Sequence, residues 1–83
     1  MPERPGVVVG RNVRRLREAR GMSGNALAGA ADITQSYVSD LEAGKVTSPG
    51  LAMVQALARA LGVAVDELLR EPAQEPAPTE EMP

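Results

Sequence analysis

Several polar side chains lie close together in residues 34–43, which read TQSYVSDLEA. If this stretch forms a helix whose apolar Val38 and Leu41 face inward, an advance of about 100° per residue fixes which side chains face outward. These are Gln35, Ser36 and Ser39, with Asp40 and Ala43 beside them. Their amide, hydroxyl and carboxylate groups can pair with the hydrogen-bonding groups of a ligand, or can form an ordinary solvated face.

The chain contains no cysteine and no histidine. It therefore lacks the commonest general base, the commonest metal ligand and any thiolate site. The remaining carboxylates and hydroxyls form no recognisable catalytic constellation, so we expect no enzymatic activity, no metal and no cofactor. No apolar run reaches the ~20 residues of a membrane span, and we expect a soluble, cytoplasmic protein.

Apolar residues recur at helical spacing and no stretch alternates as a strand would, so the predicted fold is all-α, a compact bundle of five short helices. The first helix ends before Gly21, and the others cover about residues 23–30, 34–43, 48–61 and 65–69. Ser23, Thr34 and Ser48 are the expected N-caps, with Pro49 as the first residue of the fourth helix. The expected buried stripes are Val9, Val13, Leu16 and Ala19 in the first helix, and Leu51, Val54, Leu57, Ala58 and Leu61 in the fourth.

Composition divides the chain into an irregular N-terminal arm, residues 1–6, a folded domain, residues 7–70, and a disordered acidic tail, residues 71–83. The tail reads EPAQEPAPTEEMP and has four prolines and four glutamates, a composition typical of disorder. The net charge of −2 hides an asymmetry, because residues 7–62 carry seven cations against four anions and residues 63–83 carry one against six. The domain is therefore mildly basic and the tail is acidic.

Residues 23–45 have the pattern of two helices that cross at close range. Ala28 supplies the small residue at the crossing, and Asp32 lies in the turn, where a left-handed conformation must be tolerated. Apolar anchors flank the crossing at Leu27, Ile33, Val38 and Leu41. Over about residues 9–69 the chain resembles the Cro/cI-like (XRE) helix-turn-helix family. The matching residues are Arg14-x-Leu16-Arg17, Gly21, Ser23, Leu27-Ala28, Ser36-x-Val38-Ser39-x-Leu41-Glu42-x-Gly44-Lys45, Pro49, Leu61-Gly62-Val63 and Asp66-Glu67-Leu68.

The resemblance implies sequence-specific binding to double-stranded DNA, commonly as a homodimer on a palindromic operator. It carries the base contacts onto Gln35, Ser36, Asp40 and Ser39. Phosphate contacts are expected from the start of the second helix and from the loop after the third. An arginine of the first helix and Tyr37, the only aromatic residue, are expected to add to them. The residues concerned are Ser23, Gly24, Asn25, Tyr37, Lys45, Thr47 and Ser48. Tyr37 fits equally well as a half-buried packing residue.

The chain departs from the family pattern at three positions. Gly24 stands where family members often carry glutamine, Asp32 where the turn is often glycine, and Ala43 where arginine or asparagine is frequent. The first and third departures remove DNA contacts that the family often makes.

The resemblance also pairs Arg17 with Glu42, whose carboxylate lies in the last turn of the third helix, where the helix dipole disfavours an anion. The alternative is that both are surface charges of little energetic weight. Near the end of the bundle, Val63, Val65, Leu68 and Leu69 are expected to pack against a second copy, because so short a helix has little else to cover them. The alternative is that all four complete the core of a single chain.

We therefore predict a transcriptional regulator, most simply a repressor that inserts the helix over residues 34–43 into the major groove. The alternative is a protein-interaction module, such as an antitoxin-like partner-binding protein, with weak or no DNA binding. Gly24, Asp40 and Ala43 favour this alternative, and the acidic tail would be available to such a protein partner.

Overall fold

The computed structural model describes residues 4–71. This part of the chain folds into five α-helices: α1 (Pro5–Ala19), α2 (Gly24–Ala31), α3 (Gln35–Glu42), α4 (Leu51–Leu61) and α5 (Val65–Leu69). It contains no strand, which confirms the predicted all-α bundle. None of these helices has the length and apolar character needed to cross a membrane. The first half of the predicted arm, residues 1–3, and nearly all of the predicted tail, residues 72–83, lie outside the described residues.

Hydroxyl caps begin the two short helices in the middle of the chain. Ser23 Oγ accepts a hydrogen bond from the backbone N–H of Ala26 at 3.0 Å, and Thr34 Oγ1 accepts one from the N–H of Tyr37 at 3.1 Å. Each cap satisfies one of the N–H groups that the first helical turn leaves without a partner. Between the two helices Asp32 adopts the left-handed conformation, with φ 61° and ψ 45°. The sequence predicted both caps and this turn, and the structure confirms them.

Two helix boundaries differ from the prediction. Helix α1 begins at Pro5, so the last two residues of the predicted arm are helical, and proline suits the first helical position because it needs no N–H acceptor. Helix α4 begins at Leu51 and not at Pro49, and Gly50 takes the N-cap position in place of Ser48. The Gly6 N–H donates to the Thr47 carbonyl at 3.0 Å, which ties the loop to α1. This tertiary contact overrides the local capping signal.

All five helices contribute side chains to one hydrophobic core. Helix α1 packs against α3, α4 and α5, and α2 packs against α3 and α4. The largest fully buried apolar side chains are Leu27, Leu41, Leu57 and Leu68, together with Val9, Val13 and Val38. Two predicted core residues are wrong: Ala19, the last residue of α1, is exposed, and Leu51, at the start of α4, is 68% exposed. Both lie at helix ends, beyond the reach of the neighbouring helices.

Two glycines let α1 approach the end of α3 backbone to backbone. Gly6 and Gly10 are buried and, four residues apart, share one face of α1. A Cβ atom at Gly10 would overlap the carbonyl oxygen of Leu41, and one at Gly6 would overlap the carbonyl oxygen of Val46. The position of α3 and of the loop after it is therefore set against α1 by main-chain contact.

Candidate nucleic-acid interface

The outward side of α3 carries four exposed polar side chains, which we call the reading face: Gln35, Ser36, Ser39 and Asp40. The opposite side of the same helix is buried through Val38 and Leu41, which are 2% and 0% exposed. Within residues 4–71, no side chain of the reading face forms a hydrogen bond or ion pair with another residue. Its donors and acceptors are thus directed to solvent or to a ligand.

The candidate phosphate contacts lie on two segments outside α3. Ser23, Asn25, Lys45, Thr47 and Ser48 are exposed, and Gly24 is partly buried. The Ser23 hydroxyl oxygen already serves as the cap of α2. The backbone N–H groups of Gly24 and Asn25, in the first turn of α2, have no acceptor among residues 4–71. Such N–H groups at a helix N-terminus favour an anion, with or without a charged side chain.

The position of Tyr37 is compatible with both roles predicted for it, a half-buried packing residue and a hydroxyl donor to phosphate. Its ring is half-buried and packs against the core. Desolvation by burial raises the pKa of the phenol above its ordinary value. The hydroxyl therefore stays protonated, and able to donate, at neutral pH.

Arg17 and Glu42 form a two-pronged ion pair that joins α1 to the end of α3. Arg17 Nε donates to Glu42 Oε2 at 2.8 Å, and Arg17 Nη2 donates to Glu42 Oε1 at 2.9 Å. A third hydrogen bond runs from Arg17 Nη1 to the carbonyl of Met22 at 2.8 Å. The two side chains are only 15% and 11% exposed. Hydrogen bonding to Glu42, more than any other cause, raises the pKa of Arg17, so the guanidinium stays positively charged.

The four residues assigned to a dimer surface do not share one environment. Leu68 is fully buried in the core of the single chain, so its assignment to a partner surface is wrong. The reason is that α5 lies directly on α1, which covers this side chain. Val63 and Val65 are partly buried against the same core, and Leu69 is 51% exposed.

Sequence reasoning missed Asn12, the only fully buried polar side chain among residues 4–71. Its Nδ2 donates to the carbonyl of Leu68 at 2.8 Å and to that of Arg70 at 2.6 Å, while its Oδ1 accepts from Arg15 at 3.2 Å. The two carbonyls belong to the C-terminal end of α5, where a helix leaves its acceptors without partners. The available signal was a short polar residue on the inward stripe of α1.

A pair of short helices, a left-handed turn residue between them and an exposed polar side on the second helix together define a helix-turn-helix domain. Residues 8–71 match the family model described as a helix-turn-helix domain, and the chain belongs to this family. The resemblance found in the sequence is confirmed.

Known relatives agree with this assignment. The HTH-type transcriptional regulator DdrOP3 of Deinococcus deserti is 46% identical over 57 residues, which are 69% of this chain but only 43% of that relative. The restriction-modification controller protein C.AhdI of Aeromonas hydrophila has a similar structure, with a TM-score of 0.71 and 35% identity over 76% of this chain and 94% of that one. The biofilm master regulator SinR, solved in complex with DNA, has a TM-score of 0.72 and 29% identity over 75% of this chain and 98% of that one.

Proposed function

We propose that this protein is a sequence-specific, double-stranded DNA-binding transcriptional regulator that acts as a repressor from within the cytoplasm. The observation that carries the proposal is the reading face of α3, which is exposed and makes no hydrogen bond within residues 4–71. The names of the relatives support it, because DdrOP3 is a transcriptional regulator and SinR was solved with DNA.

The reading face has the chemistry to distinguish base pairs. The major groove is about 12 Å wide and admits an α-helix. In that groove the Gln35 amide can both accept from adenine N6 and donate to N7, and Asp40 can accept from cytosine N4. Ser36 and Ser39 can either donate or accept, so they add contacts of lower selectivity.

Phosphate contacts would hold α3 in register on the duplex. The N–H groups of Gly24 and Asn25 at the start of α2 can bind one phosphate. Lys45, with the hydroxyls of the adjacent loop at Thr47 and Ser48, can bind another, and the protonated hydroxyl of Tyr37 can donate to a third. With only one lysine in this set, the salt dependence of binding by a single domain should be modest.

Because a single domain with so few phosphate-binding cations is expected to bind DNA weakly, we infer a homodimer on a palindromic operator. The partly exposed Val63, Val65 and Leu69 are the candidates for its contact surface, whereas the buried Leu68 contributes only by supporting α5. Sedimentation of the chain with and without a selected operator tests this part of the proposal. Two protomers on each operator are expected, and one protomer per operator at high micromolar concentration would contradict it.

Selection from a random duplex library, followed by gel shifts, tests DNA binding directly. Replacing Gln35 or Ser36 with alanine should weaken binding to the selected site by about 1–3 kcal/mol per lost base contact and relax the preference at the contacted position. Gln55→Ala, an exposed glutamine on α4, is the matched control and should leave binding unchanged. Equal loss for the control and the reading-face variants would contradict base reading, as would no selected sequence at all.

The exposed carboxylate of Asp40 on the reading face favours a second candidate, since it repels phosphate. Gly24 and Ala43 also lack the side chains that would add DNA contacts. The domain would then be a protein-interaction module, antitoxin-like, whose partner is bound by the same face or by the acidic tail. A folded chain with no affinity for any duplex at low salt would favour this candidate over the repressor.

A further inference from the structure

Three arginines of α1 form a cluster outside the interface residues named above. Arg11, Arg14 and Arg15 are all exposed and, at spacings of three and four residues, turn to the same side of the helix. We call this surface the arginine face. Glu18 lies beside it and pairs with Arg14 at 3.2 Å, which leaves an excess of positive charge.

The end of the described chain lies against this surface. The Glu71 carboxylate is 3.8 Å from Nη1 of Arg11. Asn12 donates to the carbonyls of Leu68 and Arg70, and so holds the last residues of α5 to α1. Arg15 in turn donates to Asn12 Oδ1 at 3.2 Å. The described chain therefore ends at Glu71 beside Arg11, within a network that includes two of the three arginines.

The sequence that follows complements this charge. Residues 72–83 read PAQEPAPTEEMP, with three glutamates and no lysine or arginine. Twelve residues reach up to about 40 Å when extended, whereas four helical residues, the distance from Arg11 to Arg15, span only about 6 Å. Every glutamate of the segment can thus reach the arginine face.

We propose that residues 72–83 dock on the arginine face of their own chain. Single exposed ion pairs are weak, but a short tether gives the segment an effective concentration in the millimolar range. The contact is electrostatic and solvent-exposed, so salt should release it as the screening length shortens.

Docking has a consequence for DNA binding, which rests on the proposed function. A depression of about 330 Å³ joins the arginine face to the end of α3, since Arg11 and Arg14 line it together with Val7, Glu42, Ala43 and Gly44. A docked acidic segment would compete at this place with the phosphates of a duplex bound to α3. The tail would then lower DNA affinity at low salt.

Paramagnetic relaxation tests the contact without DNA. Because the chain has no cysteine, Thr79→Cys provides a single position for a nitroxide label. We expect selective loss of amide signals along residues 11–18. The loss should disappear when Glu75, Glu80 and Glu81 are all replaced by glutamine, and in about 1 M salt. An unchanged pattern after either treatment, or no selective loss, would overturn the proposal.

A mixed sample separates this contact from one between two copies. When isotope-labelled chain without nitroxide is combined with nitroxide-labelled chain at natural abundance, docking within one chain predicts no signal loss along residues 11–18. Equal loss in the mixed sample would mean that the segment docks on a second copy, and would overturn the proposal.

DNA affinity provides the second measurement. Fluorescence polarisation with a non-specific duplex at low salt should show about fivefold tighter binding for the three-glutamine variant, from three exposed pairs lost. If the two chains bind the duplex equally well while the relaxation experiment detects docking, the segment docks but does not compete with DNA. No duplex binding by either chain would contradict the proposed function and leave the docking intact.

Discussion

Replacing Glu42 with alanine removes the acceptor of two of the three hydrogen bonds made by the Arg17 side chain. The guanidinium, whose side chain is only 15% exposed, is then left with the Met22 carbonyl. Breaking a buried pair on one side costs about 3–5 kcal/mol, and the residual solvent contact here lowers our expectation to about 2–4 kcal/mol. A domain of this size has a free energy of unfolding of about 3–10 kcal/mol, so the variant should be marginally stable.

A double-mutant cycle isolates the interaction between the two side chains. Arg17→Met leaves the carboxylate without its cation, and Glu42→Leu leaves the guanidinium without its carboxylate. The combined Arg17→Met/Glu42→Leu variant replaces the pair with apolar groups of similar volume. We expect each single variant to be strongly destabilised and the double variant to recover most of the loss. Urea unfolding followed by far-ultraviolet circular dichroism gives the free energies. With an m-value of about 1 kcal/mol/M, Glu42→Ala should lower the midpoint by about 2 M or more.

The matched control is Arg14→Ala, which removes the ion pair to Glu18. Those two side chains are 61% and 56% exposed, so the loss should be about 0.5 kcal/mol or less. If Glu42→Ala cost no more than this control, the Arg17–Glu42 pair would be a screened surface pair. The ion pair would then not be what holds the end of α3 to α1.

Two further predictions concern α1 and the tyrosine. Gly10→Ala should destabilise the fold by about 1–3 kcal/mol, because the new Cβ would overlap the Leu41 carbonyl oxygen. Gly29→Ala is the control: its Cβ would meet no atom within 4 Å, so it should stabilise α2 by up to about 1 kcal/mol. Both are read from urea midpoints, and equal effects would contradict the close approach of α1. The pKa of Tyr37 in the folded protein lies above the ordinary value of about 10, so the folded state holds the phenol proton more tightly than the unfolded state does. The contribution of this proton to the free energy of unfolding is therefore complete below pH about 10, and is lost as the pH rises through the folded-state pKa. Absorbance at about 295 nm reports this phenol alone, since the chain has one tyrosine and no tryptophan, and a midpoint at or below the ordinary value would contradict its burial.

Local signals in the sequence predicted those parts of the fold that depend on near neighbours. The caps at Ser23 and Thr34 bond to N–H groups three residues away, and the turn at Asp32 needs only a residue that tolerates a positive φ. The exposure of the reading face followed from helical periodicity alone. Its contact with DNA depends on a partner molecule, and stays a prediction.

Features that depend on distant segments were not predictable in this way. Asn12 finds its acceptors 56 and 58 residues later in the chain. Ser48 and Pro49 carry a good local signal for a helix start, but the hydrogen bond between Gly6 and Thr47 holds the preceding loop elsewhere. Leu68 was assigned to a partner because its cover, α1, is nearly sixty residues away in sequence.

Gly10 seats the end of α3 by main-chain contact, and Gly6 does the same for the loop after it. Val38 and Leu41 anchor the inner side of α3, so the fold does not depend on which polar groups the helix shows to solvent. Positions 35, 36, 39 and 40 are therefore free to vary without loss of the scaffold. Exchanges there should retarget the domain to other operators while its melting behaviour stays nearly constant. The same scaffold can in this way serve a family of regulators that bind different DNA sequences and share one architecture.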